Sequence, residues 1–360
     1  MKLQGELRKG HTAPMSSPTP SHAPRPPLRD VAALAEVSEP TVSRVLNGRP
    51  GVAPTTRERV VAALRSLGFE DVPDPQRPRS GVVGMVCGDY LNPAFGMLTH
   101  HISTELARKG WLTTVAVADP DLAPEEQCVE QLCGCGVDGI VFVAGRHAEI
   151  GAPIDHYRSL LEEGRPIVLV NGGDTGLHVP HVRCDEEAGA RKAVEHLISL
   201  GHTRIGCVLG SPAHVPTARF VAGYHQALAG AGLVAPPGSI SHTPFTFEGG
   251  RAGASRLLAR GITALIAGND LMALGAIAAS NARGGEPVSV VGYDGTDLTA
   301  LTAPALTTLR QPFEDMAQMI ADAIVDEICG RPHAGHHYVF QPVLVAREST
   351  HGLRPEFATG

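Results

Sequence analysis

Four polar residues stand within two positions of the ends of apolar runs of the kind that form buried strands. They are Asp89 after 82 to 87, Asn171 after 166 to 170, Asn269 after 263 to 267, and Asp294 after 288 to 292. In open α/β sheets ligands bind beyond the carboxyl ends of the strands, so these four form the expected polar ligand set. The oxygens and amides of Asp and Asn can each engage two neighbouring hydroxyls, which is what a sugar or related polyol offers. The same residue types also serve as turn residues and helix caps, and Asp270, directly before a helical run, reads as a cap. A second cluster, Ser38-Glu39-Pro40-Thr41-Val42-Ser43-Arg44, places short polar residues and one Arg at the start and outer face of a short helix. There Arg44 can donate its guanidinium fork to guanine O6 and N7, while Thr41, Ser43 and the free amides of the helix start suit phosphate. On residue types alone, an ordinary capped helix fits this cluster as well.

Other chemistries lack an anchor. Gly81-Val82-Val83-Gly84 has no Gly-Lys-Ser/Thr after it, and neither a Gly-x-Ser-x-Gly elbow nor a His-Glu-x-x-His pair occurs, so no enzyme activity and no cofactor are expected. Cys133-Gly134-Cys135 has no second Cys/His pair at zinc spacing, and the other cysteines lie mostly inside apolar runs, where a reduced thiol packs as a small hydrophobe. His100-His101 and His336-His337 are isolated pairs, so no metal site is expected.

The elements that position these residues fall into two parts. Residues 1 to 27, rich in Pro, Ser and His without an apolar period, read as a disordered leader. From 28 to 69 the period turns helical. Leu28, Val31, Ala32 and Ala35 share one face, then Val42, Val45 and Leu46 face inward on a helix from 39 to 46 closed by Asn47-Gly48. A third helix runs from 55 to 67, with Pro54 at its start and Gly68 at its end. Residues 70 to 80 hold three prolines and read as a semi-rigid linker. From 81 to 350, strands at 82 to 87, 112 to 117, 139 to 143, 166 to 170, 204 to 209, 263 to 267 and 288 to 292 alternate with helices such as 95 to 109, 186 to 200 and 270 to 283. Such alternation builds parallel sheets covered on both faces. The expected fold is an all-α helix-turn-helix headpiece followed by an α/β core of parallel sheets. Residues 351 to 360 read as a flexible tail without heptads.

The sequence resembles the lac repressor (LacI/GalR) family over about 28 to 350. The headpiece likeness lies in Asp30-Val31-Ala32-Ala33-Leu34-Ala35-Glu36-Val37-Ser38 and Thr41-Val42-Ser43-Arg44-Val45-Leu46-Asn47-Gly48. The same order continues in Asn92-Pro93-Ala94-Phe95, Asn269-Asp270-Leu271-Met272, Val290-Val291-Gly292-Tyr293-Asp294 and Leu306-Thr307-Thr308-Leu309-Arg310-Gln311-Pro312. The resemblance implies that the α/β core is two periplasmic-binding-protein-like, doubly wound parallel-sheet lobes crossed by three strands near 175, 308 and 333. Some members of the family are tetramers through a C-terminal coiled coil, whose heptads residues 351 to 360 lack, so a dimer and not a tetramer is implied. The resemblance also implies a DNA-contacting set of Ser38, Glu39, Pro40, Thr41, Ser43, Arg44, Asn47 and Arg49. It adds Phe95, Arg219, Phe220 and Phe245 to the expected effector set, Phe245 as an aromatic that stacks on the ligand. Two departures stand out. The family's hinge helix, with a Leu that wedges into the minor groove, is replaced by Val72-Pro73-Asp74-Pro75-Gln76-Arg77-Pro78-Arg79-Ser80, which leaves only Arg77 and Arg79 for a narrow groove. Phe220 occupies a position where the family often has Arg, with Arg219 one residue earlier.

Charge fits this division. The net charge is −7, but residues 1 to 24 carry +2 and residues 25 to 80 carry 9 Arg against 7 Asp/Glu, whereas 81 to 360 carry 18 Lys/Arg against 29 Asp/Glu. A positive small module on an acidic body fits a DNA reader with a ligand domain that phosphate repels, and disfavours an architectural DNA protein. A free-standing sugar-binding receptor would fit the lobes but has no use for 28 to 68. Residues 1 to 27 lack the apolar segment of a secretory signal and no apolar run suits a membrane span, so a cytoplasmic, nucleoid-associated place is expected. The expected function is sequence-specific regulation of transcription, in the sense of a repressor. The partners are double-stranded operator DNA, a second copy of the chain and a small-molecule effector that acts allosterically, a sugar or polyol.

Overall fold

The computed structural model describes residues 28–46, 52–67, 80–119, 122–331 and 336–353. The leader, Asn47, Arg49, residues 70–79 of the linker with Arg77 and Arg79, the crossing strand expected near 333, and residues 354–360 of the tail lie outside the described residues. The chain divides into two compact units, Met1–Pro75 and Gln76–Gly360.

Among the described residues the first unit holds three helices, α1 (Leu28–Leu34), α2 (Glu39–Leu46) and α3 (Pro54–Ser66). Val31, Ala32, Ala35, Val42, Val45, Val60, Ala63 and Leu64 form its core, with Val37 and Val52 packed on the rim. Each helix contributes residues at three- and four-residue spacing, which is why short helices of modest propensity hold together here: burial of one stripe stabilises what isolated helices of 7 to 13 residues cannot sustain. Between α1 and α2 the chain reverses through Glu36, whose φ of 52° lies in the left-handed region. The turn is closed by Val37 N–H donating to Ala32 O at 3.0 Å.

The second unit contains two six-stranded sheets. The first lobe has the strand order β11-β5-β4-β3-β1-β2, built from β1 (Val82–Cys87), β2 (Leu112–Val117), β3 (Gly139–Phe142), β4 (Ile167–Val170), β5 (His181–Cys184) and β11 (His337–Phe340), all parallel. The second has the order β12-β10-β9-β8-β6-β7, from β6 (Ile205–Leu209), β7 (Ile240–His242), β8 (Ala264–Ala267), β9 (Ser289–Asp294), β10 (Thr307–Arg310) and β12 (Val343–Val345). Only β12 runs antiparallel, at the edge. Alternate residues of the central strands feed opposite cores. Val141, Val168 and Val170 pack with α4 (Pro93–Arg108) and α11 (Phe313–Ile328), while Ile140, Phe142, Ile167 and Leu169 pack with α5 (Glu125–Gly134) and α6 (Asp155–Glu162). The second lobe repeats this with α7 (Glu186–Ser199) and α8 (Val215–Gly230) on one face and α9 (Phe247–Leu258) and α10 (Asp270–Arg283) on the other. Burial on both faces explains the near-continuous apolar strands.

The chain passes between the lobes three times, at Asp185, at Gln311-Pro312 and at Gln341-Pro342, where it leaves one sheet and enters the other. These positions correct the expected ones. Near 175 the chain is an irregular loop of the first lobe, and β10, expected as a crossing strand near 308, belongs to the second lobe's sheet and ends just before the crossing. The crossings are tied to one another and to the sheets. Gln341 Nε2 donates to Asp185 Oδ2 at 2.8 Å, and Gln311 Nε2 donates to Asp294 Oδ1 at 2.9 Å.

Glu36 supplies a test of the headpiece turn. A residue with a Cβ pays for the left-handed region where glycine does not, while glycine loses more entropy on folding. Glu36→Gly is expected to stabilise the headpiece by about 0.5–1 kcal/mol in denaturant unfolding followed by helical circular dichroism; a lower midpoint would mean that the Glu36–Arg59 contact at 3.8 Å outweighs the backbone cost.

Candidate functional site

In the headpiece, Val42 and Val45 turn one face of α2 into the core at 0% and 2% exposure, so the opposite face is presented to solvent. That face carries exposed Glu39, Pro40 and Arg44 and half-buried Thr41 and Ser43, with exposed Ser38 immediately before the helix. Ser38 and Thr41 hydroxyls are 2.9 Å apart, which fixes the helix start. Among the described residues Arg44 has no ion-pair partner, so its guanidinium is available to an outside acceptor. The Thr41 and Val42 amides are taken by Ser38 O, so the arrangement offers short hydroxyls and one Arg to a groove of DNA.

In the second unit the loop that carries Asp89, the residue after Asn171 and the end of β9 each make a contact with the other lobe. Asp294, at the end of β9, is 5% exposed. Its Oδ1 accepts from Gln311 Nε2 on the second crossing, and its Oδ2 accepts at 3.5 Å from Asn92 Nδ2 on the other lobe. Burial, with the nearby Asp270 carboxylate adding to it, pushes the Asp294 carboxyl well above the usual range, against the pull of Gln311 and Asn92. A carboxyl that keeps its proton can donate as well as accept, which suits a hydroxyl. Asn92 itself caps α4, its Oδ1 accepting from Ala94 N–H at 3.1 Å. Asp89 bends the same loop, its Oδ1 accepting from the amides of Leu91 at 2.9 Å and Asn92 at 3.3 Å. Phe95 follows in the first turn of α4, partly buried against the first lobe's core. Asn171 ends β4 with φ 61°, and among the described residues its side chain has no hydrogen-bonding partner.

Phe245 lies over the point in the second lobe where strand order reverses, between β6 and β8. A Cβ at Gly210, just past β6, would collide with its ring, and one at Gly268, just past β8, would sit 3.1 Å from Cε1. Both strand ends are glycine because the ring lies on the backbone. His214 stacks nearby at 5.9 Å between centroids.

Three expected ligands are engaged inside the protein instead. Asn269 is the N-cap of α10, its Oδ1 accepting from Met272 N–H at 2.8 Å and its Nδ2 donating to Phe245 O at 3.2 Å. The cap expected at Asp270 therefore belongs to Asn269. Asp270 instead accepts from Thr296 N–H and from the hydroxyls of Thr296 and Thr308, at 2.9, 3.1 and 2.6 Å. Phe220 is 4% exposed in the second lobe's core, edge-to-face with Tyr293 at 5.8 Å. Arg219 donates to Gly172 O at 3.1 Å and faces Glu186 Oε2 at 3.7 Å.

One buried network had no signature in the residue pattern. Glu125 accepts from His156 Nε2 at 2.6 Å, from Tyr157 Oη and from Arg146 N–H at 2.9 Å. Burial opposes ionisation there, yet these hydrogen bonds prevail and hold its carboxyl below the usual range. Tyr157 Oη in turn accepts from His147 N–H at 3.0 Å, and His147 Nε2 is 2.7 Å from Val170 O. The network fixes residues 145–150, which reach the second lobe: Ile150 N–H donates to Ala213 O at 2.7 Å, and Glu149 pairs with His214.

The motif of the bacterial regulatory proteins of the lacI family matches residues 27–71, and a periplasmic binding protein-like domain matches residues 194–350. The HTH-type transcriptional regulator MalR of Streptomyces coelicolor is 42% identical over 330 residues, covering 90% of this chain and 96% of that protein. The chain belongs to the LacI family. Among solved structures, a complex of the transcriptional regulator CelR with cellobiose is 30% identical with a TM-score of 0.68, covering 91% of this chain and 100% of that one. The lac repressor dimer bound to operator and the anti-inducer ONPF is 26% identical with a TM-score of 0.66 over the same shares. As a LacI-family protein, the chain is a DNA-binding regulator of transcription with a helix-turn-helix headpiece and a periplasmic-binding-protein-like core. Among the described residues no helix is long and apolar enough to cross a membrane, and no three His, Cys, Asp or Glu residues are grouped to hold a metal ion.

In this LacI-family lobe Asn269 serves both the helix and the aromatic. Asn269→Ala is expected to cost about 1–3 kcal/mol in denaturant unfolding, from the lost cap and the loosened Phe245 carbonyl. An unchanged midpoint would show that neither hydrogen bond matters to the lobe.

Proposed function

We propose that the protein acts as a homodimeric repressor whose hold on a pseudopalindromic operator is set by a neutral sugar or related polyol bound between its lobes. The observation that carries the effector site is backbone strain. Among the described residues only Glu36, Asn171 and Asp294 adopt positive φ without being glycine, and the last two end central strands on opposite lobes. Strain of this kind persists where the surrounding structure imposes it, and it gathers at ligand sites. Asp89, Asn171 and Asp294 supply polar contacts and Phe95 and Phe245 apolar ones, with Asn269 holding Phe245 in place. Arg219 is engaged by Glu186 and by the Gly172 carbonyl, so it is left out of the ligand contacts. CelR, solved with cellobiose, is consistent with a sugar.

Closure of the lobes on an effector shifts the first lobes of a dimer relative to one another, and with them the spacing of two headpieces that must engage two half-sites together. Support for self-association comes from exposed apolar side chains on the edge strand β2, Leu112 at 69% and Val117 at 48%, and from Leu298 and Leu301 at 56% and 82%. In the headpiece, Ser38, Glu39, Pro40, Thr41, Ser43 and Arg44, together with Asn47 and Arg49, face the DNA. A regulator that acts on chromosomal DNA would do so in the cytoplasm, in association with the nucleoid. A sugar receptor without a DNA role leaves the headpiece unexplained.

Fluorescence anisotropy with a labelled operator duplex tests both halves. Arg44→Ala should cost about 1–3 kcal/mol on the specific site and little on random DNA; equal losses on both would remove it from base recognition. Asp294→Ala should leave operator affinity without effector nearly unchanged and weaken the effector by roughly 1.5–3 kcal/mol, or one to two decades in Kd. Loss of operator binding in the absence of effector would make Asp294 a structural residue instead.

A further inference from the structure

Glu186 stands one residue past the first crossing, at the start of α7, with its side chain 5% exposed. Two guanidinium groups from different lobes converge on the same oxygen. Arg183, on β5 of the first lobe, places Nη1 3.3 Å from Glu186 Oε2, and Arg219, on α8 of the second lobe, places Nη1 3.7 Å from it. Arg219 Nη1 also donates across the lobes to Gly172 O at 3.1 Å, next to the strained Asn171. Both arginines are mostly buried, at 24% and 22% side-chain exposure.

We infer that Glu186 and Arg219 act as positioning residues, a charged brace that holds the two lobes together before any effector arrives. The chemistry favours a brace over a ligand contact. A buried guanidinium needs its charge matched, and breaking such a pair leaves an uncompensated charge behind. Glu186 matches Arg219 from beside the crossing, where the chain itself limits how far the lobes separate. The same Nη1 of Arg219 is thereby held where it donates to a backbone carbonyl of the other lobe. The brace also has a consequence for binding. When only a fraction of the protein is in the competent closed form, apparent affinity falls by that fraction, so a brace that raises the closed population tightens effector binding without touching the ligand.

The amide of Ile150 reports lobe contact directly, because its acceptor, Ala213 O, belongs to the other lobe. Hydrogen exchange of the full chain, without ligand, is followed at pH 8.5 in the peptide that carries Ile150 and in peptides covering β3 and β8. Burial pushes the Glu186 carboxyl up to about 7 against the pull of Arg219 and Arg183, so at this pH the group is ionised. Arg219→Gln and Glu186→Gln should each speed exchange at Ile150 about tenfold and leave β3 and β8 unmoved. The double variant should exchange no faster than either single one, and Arg219→Lys should recover part of the protection. The brace is refuted by unchanged Ile150 exchange in Arg219→Gln, by a parallel rise in β3 and β8, or by effects that add in the double variant. If Glu186→Gln does not fold, the comparison of Arg219→Gln with Arg219→Lys decides alone, since a geometric role of the side chain's stem would survive in both and a charge-matching role only in the lysine variant.

Discussion

The carboxyl of Asp294 is where the architecture converges. It ends the central strand of one lobe, takes a hydrogen bond from Gln311 on a crossing segment, and receives Asn92 from the lobe opposite. Its backbone, at φ 110°, turns the chain away from the sheet so that the carboxyl faces the junction. A strand end, a crossing and the opposite lobe are thus coupled through one side chain. Asn92 is at once a partner of Asp294 through Nδ2 and, through Oδ1, the cap that starts α4. The proposed effector would act at this junction, through position and not through a new contact with DNA.

Much of the fold was legible because burial and chain ends leave local marks. α2 and α10 carry the residue bounds that their caps and apolar stripes imply, and β1 and β2 match their apolar runs from end to end. What escaped is what local pattern cannot encode. β5, β7 and β12 are three or four residues long, too short for a period to show, and β12 lies antiparallel at an edge. The crossings were misplaced for a related reason: a strand's sequence states that it is buried on both faces, not which of two sheets it joins.

The site was legible as a set of positions and less so as a set of contacts. A polar residue after a buried strand is visible in the chain, and Asp89, Asn171, Asn269 and Asp294 do end strands or the loops beyond them. Whether such a residue faces a ligand or caps the next helix depends on a rotation of one residue, which is how the cap moved from Asp270 to Asn269. Phe220 and Arg219 are adjacent on α8, and the helix turns one into the core and the other toward Glu186. The Glu125, Tyr157 and His147 network joins residues separated by 10 to 32 positions, and no single stretch announces it.

The proposed thermodynamic linkage between the effector cleft and the headpieces is reciprocal. Calorimetric titration of the sugar that raises the protein's thermal midpoint, into free protein and into protein saturated with operator duplex, measures this without reference to any variant. The account predicts that the two dissociation constants differ by about fivefold or more, and by the same factor that the sugar applies to operator affinity. Equal sugar affinity for the free and the operator-bound protein would contradict it.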